Sequence, residues 1–302
     1  MPTPSYIVSI RQRRREKLRQ APWGRLGLVA GVFSSILFLL IIFTAVTAYI
    51  NLTADLPPLE SIPAHLEPPD GMWLQPTRLY DRTGEHIILT LQNPGTAGRR
   101  YLTISANGSD DDEFAEPLIL ATIAQIDPAY WDHPGYAWRN ITQSDQRTLA
   151  QQLVNDLLLA NEAPSLQRNI RERLLAGQLI SRYGHEKVLE WYLNSTCYGP
   201  LVYGADAASL AYFGKSASEL SLAEATWLVA ASQTPAINPI SAQQSVIERQ
   251  HSLIDQMLQM MVIIKDDASL AQQQVLVFRS LDNQNEQNVA FTNLVIEQVQ
   301  QA

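Results

Sequence analysis

Hydrophobic and polar positions fall into three regimes along the 302-residue chain. The first is the run Leu26 to Ile50, LGLVAGVFSSILFLLIIFTAVTAYI, in which no residue is charged. Its 25 residues exceed the roughly 20 that a helix needs to cross a bilayer core. One Asp or Arg would be costly there, so the pattern predicts a transmembrane helix over 26–50. A cleaved signal peptide ending near Val46-Thr-Ala48 is the rival reading. Its apolar region would be far longer than the usual about 7–15 residues.

The second regime is proline-dense: Pro57, Pro58, Pro63, Pro68, Pro69 and Pro76. That density opposes helix and favours an extended, semi-rigid spacer, so 51–76 is expected to be a linker outside the membrane. In the third regime, Thr77-Arg-Leu-Tyr-Asp81-Arg-Thr-Gly84-Glu-His-Ile-Ile-Leu-Thr-Leu91 reads as strand, turn, strand, with Gly84 supplying the positive φ. Asn93 to Gly98 and Asn107 to Asp112 read as loops.

From Glu116 the spacing is helical nearly to the end. Leu118, Ile119, Ala121, Thr122 and Ile123 form a buried-helix pattern that Pro128 interrupts. Thr148 to Leu159 is amphipathic, with Leu149, Leu153, Val154 and Leu157 on one side. Leu166 to Tyr183 predicts a helix with Gly184 as its C-cap. Glu186 to Leu193, Ala205 to Phe213, Leu222 to Ala231 and Ser245 to Ile264 predict further helices, punctuated by Gly or Pro. Gln272 to Phe278 and Ala290 to Gln300 carry weaker patterns. The expectation is a mainly α domain over 77–302 with a small β-hairpin at its entrance.

Charge adds an orientation. The first 25 residues hold seven of the 22 Lys and Arg against one acid, leaving 15 basic and 29 acidic residues in the remainder. A basic head before an apolar span, and an exit containing Asp55, place residues 1–25 in the cytoplasm and the bulk of the chain outside. The acidic body argues against nucleic acid as partner, which needs a basic face on the folded domain. The lone Cys197 cannot form an intrachain disulfide and reads as a small core residue. The N-x-S/T triplets at Asn51, Asn107, Asn140 and Asn194 matter only in a glycosylating secretory pathway and read as chance.

Candidate chemistry enters with the stretch Ala121-Thr-Ile-Ala-Gln-Ile-Asp-Pro-Ala-Tyr-Trp-Asp-His-Pro-Gly135. It resembles the first signature of the family 51 glycosyltransferases, the peptidoglycan transglycosylases, A-x-I-A-x-E-D-x-x-F-x-x-H-x-G. Asp127, Tyr130 with Trp131, His133 and Gly135 fall on the pattern, while the Glu position holds Ile126. Arg78 to Glu85 is similar to the family's entry hairpin, and Thr148-Leu-Ala-Gln151-Gln152-Leu153 to the end of the second signature, G-G-S-T-I-T-Q-Q-L. Arg168-Asn-Ile-Arg171-Glu172 corresponds to the third, R-K-x-K-E. Val188 to Asn194 through Tyr198-Gly199, Tyr203-Gly204 and Tyr212 to Lys215 follow the fourth. Leu220 to Ala225, Pro235 and Asn238-Pro239 follow the fifth.

The resemblance implies a lysozyme-like helical domain on the outer side of the bilayer. It also implies that a lipid-linked disaccharide precursor and a nascent glycan strand are its ligands, with other wall synthases as candidate partners. In that chemistry an acceptor sugar hydroxyl attacks the anomeric carbon and a pyrophosphate leaves. The hydroxyl needs a carboxylate as general base, and the pyrophosphate needs cationic partners, sometimes with a divalent metal such as Mg or Mn. In the family the first signature's Glu is the base, and the third signature's Glu with its basic neighbours serves the pyrophosphate. Carried over, Glu172 and Asp127 are the candidate catalytic residues, with Arg168, Arg171, Gln152 and Thr148 as substrate-binding residues. Arg168, Arg171 and Glu172 share one side of a 3.6-residue helix; a solvated Arg168–Glu172 pair is the plainer reading.

The departures cluster. Ile126 cannot take a proton, and a lost general base typically removes about 10²–10⁴-fold in rate. Asp127 is turned about 100° from that position on a helix, so it or Asp132 substitutes only after rearrangement at Pro128. The family's G-G-S-T is Asp145-Gln-Arg147-Thr148, two of its lysines are Asn155 and Asn169, and the segment from Ile126 to Gln151 is short. His133, Glu190 and Glu224 read as hydrogen-bonded structural groups. The penicillin-binding landmarks S-x-x-K, S-x-N and K-T-G do not follow the membrane domain, so no transpeptidase activity is implied. Two functions remain: a working glycosyltransferase with a substitute base, or a non-catalytic precursor- or glycan-binding scaffold.

Overall fold

The computed structural model describes residues 23–68, 71, 77–91, 99–104, 112–137 and 147–279. The chain divides into two compact units, residues 1–56 and 57–302.

Among its described residues the first unit contains one helix, α1 (Trp23–Thr53), which extends the predicted span by three residues at each end. Its Gly27–Thr53 stretch has a mean hydropathy of 2.6 and is long and apolar enough to cross a membrane. Four polar side chains on it are satisfied internally. Ser35, Thr44, Thr47 and Thr53 each donate a hydroxyl to the carbonyl four residues back, as a segment surrounded by hydrocarbon requires.

The second unit begins inside the proline-dense segment, and here the expectation of an extended linker is corrected. Ser61–Leu66 forms a short helix, α2. Pro63 stands in its first turn, where a missing N–H costs no intrahelical bond. Ile62 and Leu66 are fully buried. The segment is also held by charge. Arg182 pairs with Glu60, and Lys187 Nζ lies 2.7 Å from Glu67 and 2.6 Å from Glu190. Trp191 Nε1 donates to Glu67 at 3.1 Å. Glu190 also accepts from Tyr101 OH and from Ile104 N, which makes it the structural carboxylate expected from its apolar surroundings.

The predicted hairpin is present as β1 (Thr77–Tyr80) and β2 (Ile87–Leu91), antiparallel, with Gly84 at φ 77° in the turn. The rest is helical: α3 (Glu116–Ile126), α4 (Leu149–Leu157), α5 (Leu166–Ser195), α6 (Ala205–Tyr212), α7 (Leu222–Ser232), α8 (Gln243–Gln259) and α9 (Lys265–Gln273). Gly184, at φ 80° and ψ 164°, breaks α5 into the two helical halves that the sequence separates there. Helix α4 lies along α5, while α3, α7, α8 and α9 pack together; the two groups meet through α6 and the strands near it. Trp227 of α7 is buried at their junction, edge-on to Tyr212 and Phe213.

Three departures are local. A two-residue-turn hairpin, β3 (Cys197–Gly199) with β4 (Val202–Tyr203), escapes the sequence reading, with Leu201 at φ 59°. Cys197 in it is half-buried rather than core, and burial pushes its thiol up. The expected Ser245–Ile264 helix ends at Gln259, because Met261 adopts φ 57°, and α9 then starts at Lys265 with Asp266 and Asp267 in its first turn. Gln274–Arg279 is not helical. Phe278 lies 4.8 Å from the Trp227 ring, and Arg279 N donates to Tyr212 O. The Asn93–Gly98 loop, most of the Asn107–Asp112 loop and Ala290–Gln300 lie outside the described residues.

If the 57–68 segment is part of the folded unit, Ile62→Ala should cost about 2–5 kcal/mol through the cavity it leaves. A thermal melt of the second unit would show a clearly lowered midpoint; an unchanged midpoint rules the docking out.

Candidate functional site

The site is built around the end of α3. Ile126 is its last residue and is half-buried. Asp127 follows with φ −151°, only 6% exposed, and turns its carboxylate inward. His133 Nε2 lies 2.8 Å from its Oδ1, and Leu149 N donates to its Oδ2 at 3.0 Å. Gly135 N donates to His133 Nδ1, so that nitrogen accepts and Nε2 carries the proton toward Asp127. His133 is thus the hydrogen-bonded structural histidine that its context implies. Asp127 caps the N-terminus of α4 instead of standing free as a base.

Thr148 and the two glutamines complete this end of α4. Thr148 is the N-cap in a capping box with Gln151, and its hydroxyl donates to Gly135 O at 2.7 Å. Gln151, 1% exposed, donates from Nε2 to Glu172 Oε1 at 2.8 Å. Gln152 accepts from Tyr192 OH at 3.1 Å. Of the two, Gln151 touches the candidate carboxylate. Gly135 cannot be replaced cheaply: it has φ 91°, and a Cβ would meet Ile180 Cγ1 at 2.6 Å and Ala176 O at 2.7 Å.

The third-signature residues diverge. Glu172 is 1% exposed, and Arg147 Nε donates to its Oε2 at 2.9 Å. Arg168 folds back the other way, donating through Nε and Nη2 to Leu159 O and through Nη2 to Asn155 Oδ1. Arg171 pairs with Glu162 at 3.2 Å. Neither the shared ligand face nor the Arg168–Glu172 pair is found; Glu172 takes its cation from Arg147 instead. Glu224 serves the capping box of α7 with Ser221 and pairs with Lys215 at 2.7 Å, again structurally.

Comparison with known proteins agrees with the motifs. A family model described as "Transglycosylase" matches residues 107–258, half of the chain. The chain belongs to the transglycosylase family. It is 30% identical over 260 residues to penicillin-binding protein 1A of Rickettsia conorii, an alignment covering 80% of this chain and 31% of that protein. With penicillin-binding protein 1A of Aquifex aeolicus it shares 32% over 199 residues, covering 61% of this chain and 26% of that one. Among solved structures it matches penicillin-binding protein 1A of Haemophilus influenzae at 19% identity and a TM-score of 0.38, over 74% of this chain and 23% of that chain. The chain therefore spans under a third of the length of these relatives.

For a transglycosylase-family chain, two groups in this region were not legible as site residues. Arg147 reads in sequence only as bulk in place of a small residue, because its partner lies 25 positions away. Asp156 follows Leu149 by seven positions, on the apolar side of α4, and a charge on such a stripe is the signal that identifies it. Its side chain is exposed by area, yet surrounded closely enough that burial is the leading influence on it and raises its carboxyl above the ordinary 3.8. Asn155 donates to its Oδ1 at 2.7 Å. A divalent metal at the pyrophosphate finds a poor donor set. Both Glu172 oxygens are bound by Arg147 and Gln151, and no three His, Cys, Asp or Glu converge among the described residues.

Removing Arg147 leaves a buried carboxylate without its cation, so Arg147→Ala should destabilise by about 3 kcal/mol. Arg147→Ala combined with Glu172→Gln should cost less than the two single changes together; additive losses in chemical denaturation refute the coupling. For Asp156 the folded state binds its proton more tightly than the unfolded chain. Stability therefore falls as pH rises from the ordinary carboxylate range through the raised value. Asp156→Asn should melt higher than the native protein at pH about 7, with the gain vanishing in acid; a lower melting point at neutral pH contradicts this.

Proposed function

We propose that this chain is a membrane-anchored transglycosylase-family protein of cell-wall assembly that binds the lipid-linked disaccharide precursor or its glycan product, with its own transferase chemistry impaired. The observation that carries this reading is that no family carboxylate is left with a free oxygen. Ile126 stands where the base belongs. Asp127 is bound by His133 and Leu149, and Glu172 by Arg147 and Gln151. A sugar hydroxyl needs a general base within hydrogen-bond reach, and in this family's chemistry that base is a carboxylate. Asp132, the next carboxylate after Asp127, is exposed on the turn Tyr130–Asp132.

The membrane assignment rests on α1 and on the basic head before it, which favours a cytoplasmic N-terminus and a domain outside. Binding of the precursor, the nascent strand or other wall synthases is inferred from family membership, as the chain covers only part of its relatives.

The test is polymerisation of labelled lipid-linked disaccharide by the purified full chain. The native protein should bind precursor and form little or no polymer, and Ile126→Glu should raise the yield, up to the about 10²–10⁴-fold that a general base contributes. Efficient native polymerisation that Glu172→Gln abolishes would falsify impairment.

A further inference from the structure

Beyond α8 the second unit carries a strongly apolar face. Met261, Ile264, Leu270, Val275 and Val277 each leave more than half of their surface exposed. Leu276, between the two valines, instead packs on the small cluster of Ala223, Ile254, Ala268 and Ala271. A groove of about 440 Å³ opens in this face, between the start of α3 and α9. Pro117 and Leu120 of α3, Leu222 at the start of α7, Ile264, and Leu270 and Ala271 of α9 line it. Exposed apolar side chains gathered around a groove mark an interaction surface. A channel between two helices is the shape that the apolar face of a third helix fills.

The rim decides the occupant. Glu116 and Asp267 border the groove, Asp266 stands next to Asp267 in the chain, and all three are exposed. Among the described residues none of the three side chains is paired with a cation. Acids suit the first turns of α3 and α9 through the helix dipole, but that role does not require both turns to open on one apolar groove. Lys265 offsets only one of the three charges. A bilayer surface is disfavoured, because anionic headgroups repel carboxylates. A second copy is disfavoured too, since the chain beyond residue 25 holds 15 basic and 29 acidic residues. Residues 280–302 add three acids and no Lys or Arg. The complement of an apolar groove with an acidic rim is an apolar helix with basic flanks.

We propose that this groove docks an amphipathic helix of a partner protein, with its apolar face against Leu120, Leu222 and Leu270 and its Lys or Arg flanks against Glu116, Asp266 and Asp267. Such docking does not depend on whether the chain itself transfers sugars.

The full chain in nanodiscs of zwitterionic lipid is titrated with a labelled peptide of about 15 residues, with leucines at helical spacing and lysines on both flanks. Its lysine-to-glutamate counterpart is the control, and empty discs are the blank. The basic peptide should bind and the acidic one should not, with affinity falling between about 50 and about 500 mM salt. Leu270→Asp should weaken binding about tenfold, because it sets a charge against the peptide's apolar face. Leu270 is exposed, so the melting point should stay unchanged. Glu116→Lys with Asp267→Lys should reverse the preference between the two peptides. Binding of neither peptide, or equal binding by native and Leu270→Asp protein, overturns the proposal. A native dimer in sedimentation that Leu270→Asp dissociates assigns the face to a second copy and also overturns it. So does quenching by brominated lipid of a fluorophore on Leu270→Cys in a Cys197→Ser background, which places the bilayer on this face.

Discussion

The carboxylate of Asp127 is the point on which the rest of this domain's polar architecture turns. It terminates α3, receives His133 and caps α4 through Leu149 N. Because His133 in turn receives Gly135 N, and Gly135 O receives Thr148, the turn between the two helices is closed by one continuous set of bonds. An unpartnered carboxylate with this little exposure would be untenable, so each partner is needed for the others. Gly135 can sit against α5 only because it lacks a Cβ, which sets how closely the turn approaches the helix carrying Glu172. The positions retained from the first signature are those with structural work in this closure. Ile126, one residue earlier, has none of it.

A second set of bonds has grown around Glu172. Arg147, in place of a small hydroxyl residue, supplies a cation to a carboxylate that is nearly inaccessible. Such a pair is poor evidence of added stability, since desolvation offsets much of the attraction. It is better evidence of occupancy. The Glu172 carboxylate is held by a guanidinium on one oxygen and an amide on the other. Arg168 tells the same story from the opposite side, because a guanidinium that satisfies Leu159 O closes the end of α4 and has less to offer a phosphate.

The helices were legible because their apolar spacing and their caps agree. Thr148, Ser165 and Ser221 are the N-caps of periodic segments, and Gly84 and Gly184 carry positive φ where a turn and a break were expected. What stayed hidden depends on partners remote in sequence or on unmarked backbone. Met261 takes a left-handed conformation without being Gly or Asn, so nothing announced the start of α9. Pro63 argued against helix, yet a first-turn proline is harmless once Ile62 and Leu66 have α5 to bury against. The directions of Arg168 and Glu172 were unreadable because helical spacing places Cα atoms, whereas long side chains choose among acceptors that only the fold provides.

Family membership and family chemistry therefore rest on different physical constraints in this chain. The closure around Asp127 is cooperative, and loss of any member strands a buried polar group, so the signature persists as long as the domain folds. Ile126 is half-buried at a helix end and makes no comparable bond; an isoleucine there leaves no polar group unsatisfied. No hydrogen bond of the closure depends on residue 126, while the neighbouring Glu172 carboxylate is tied to Arg147 and Gln151.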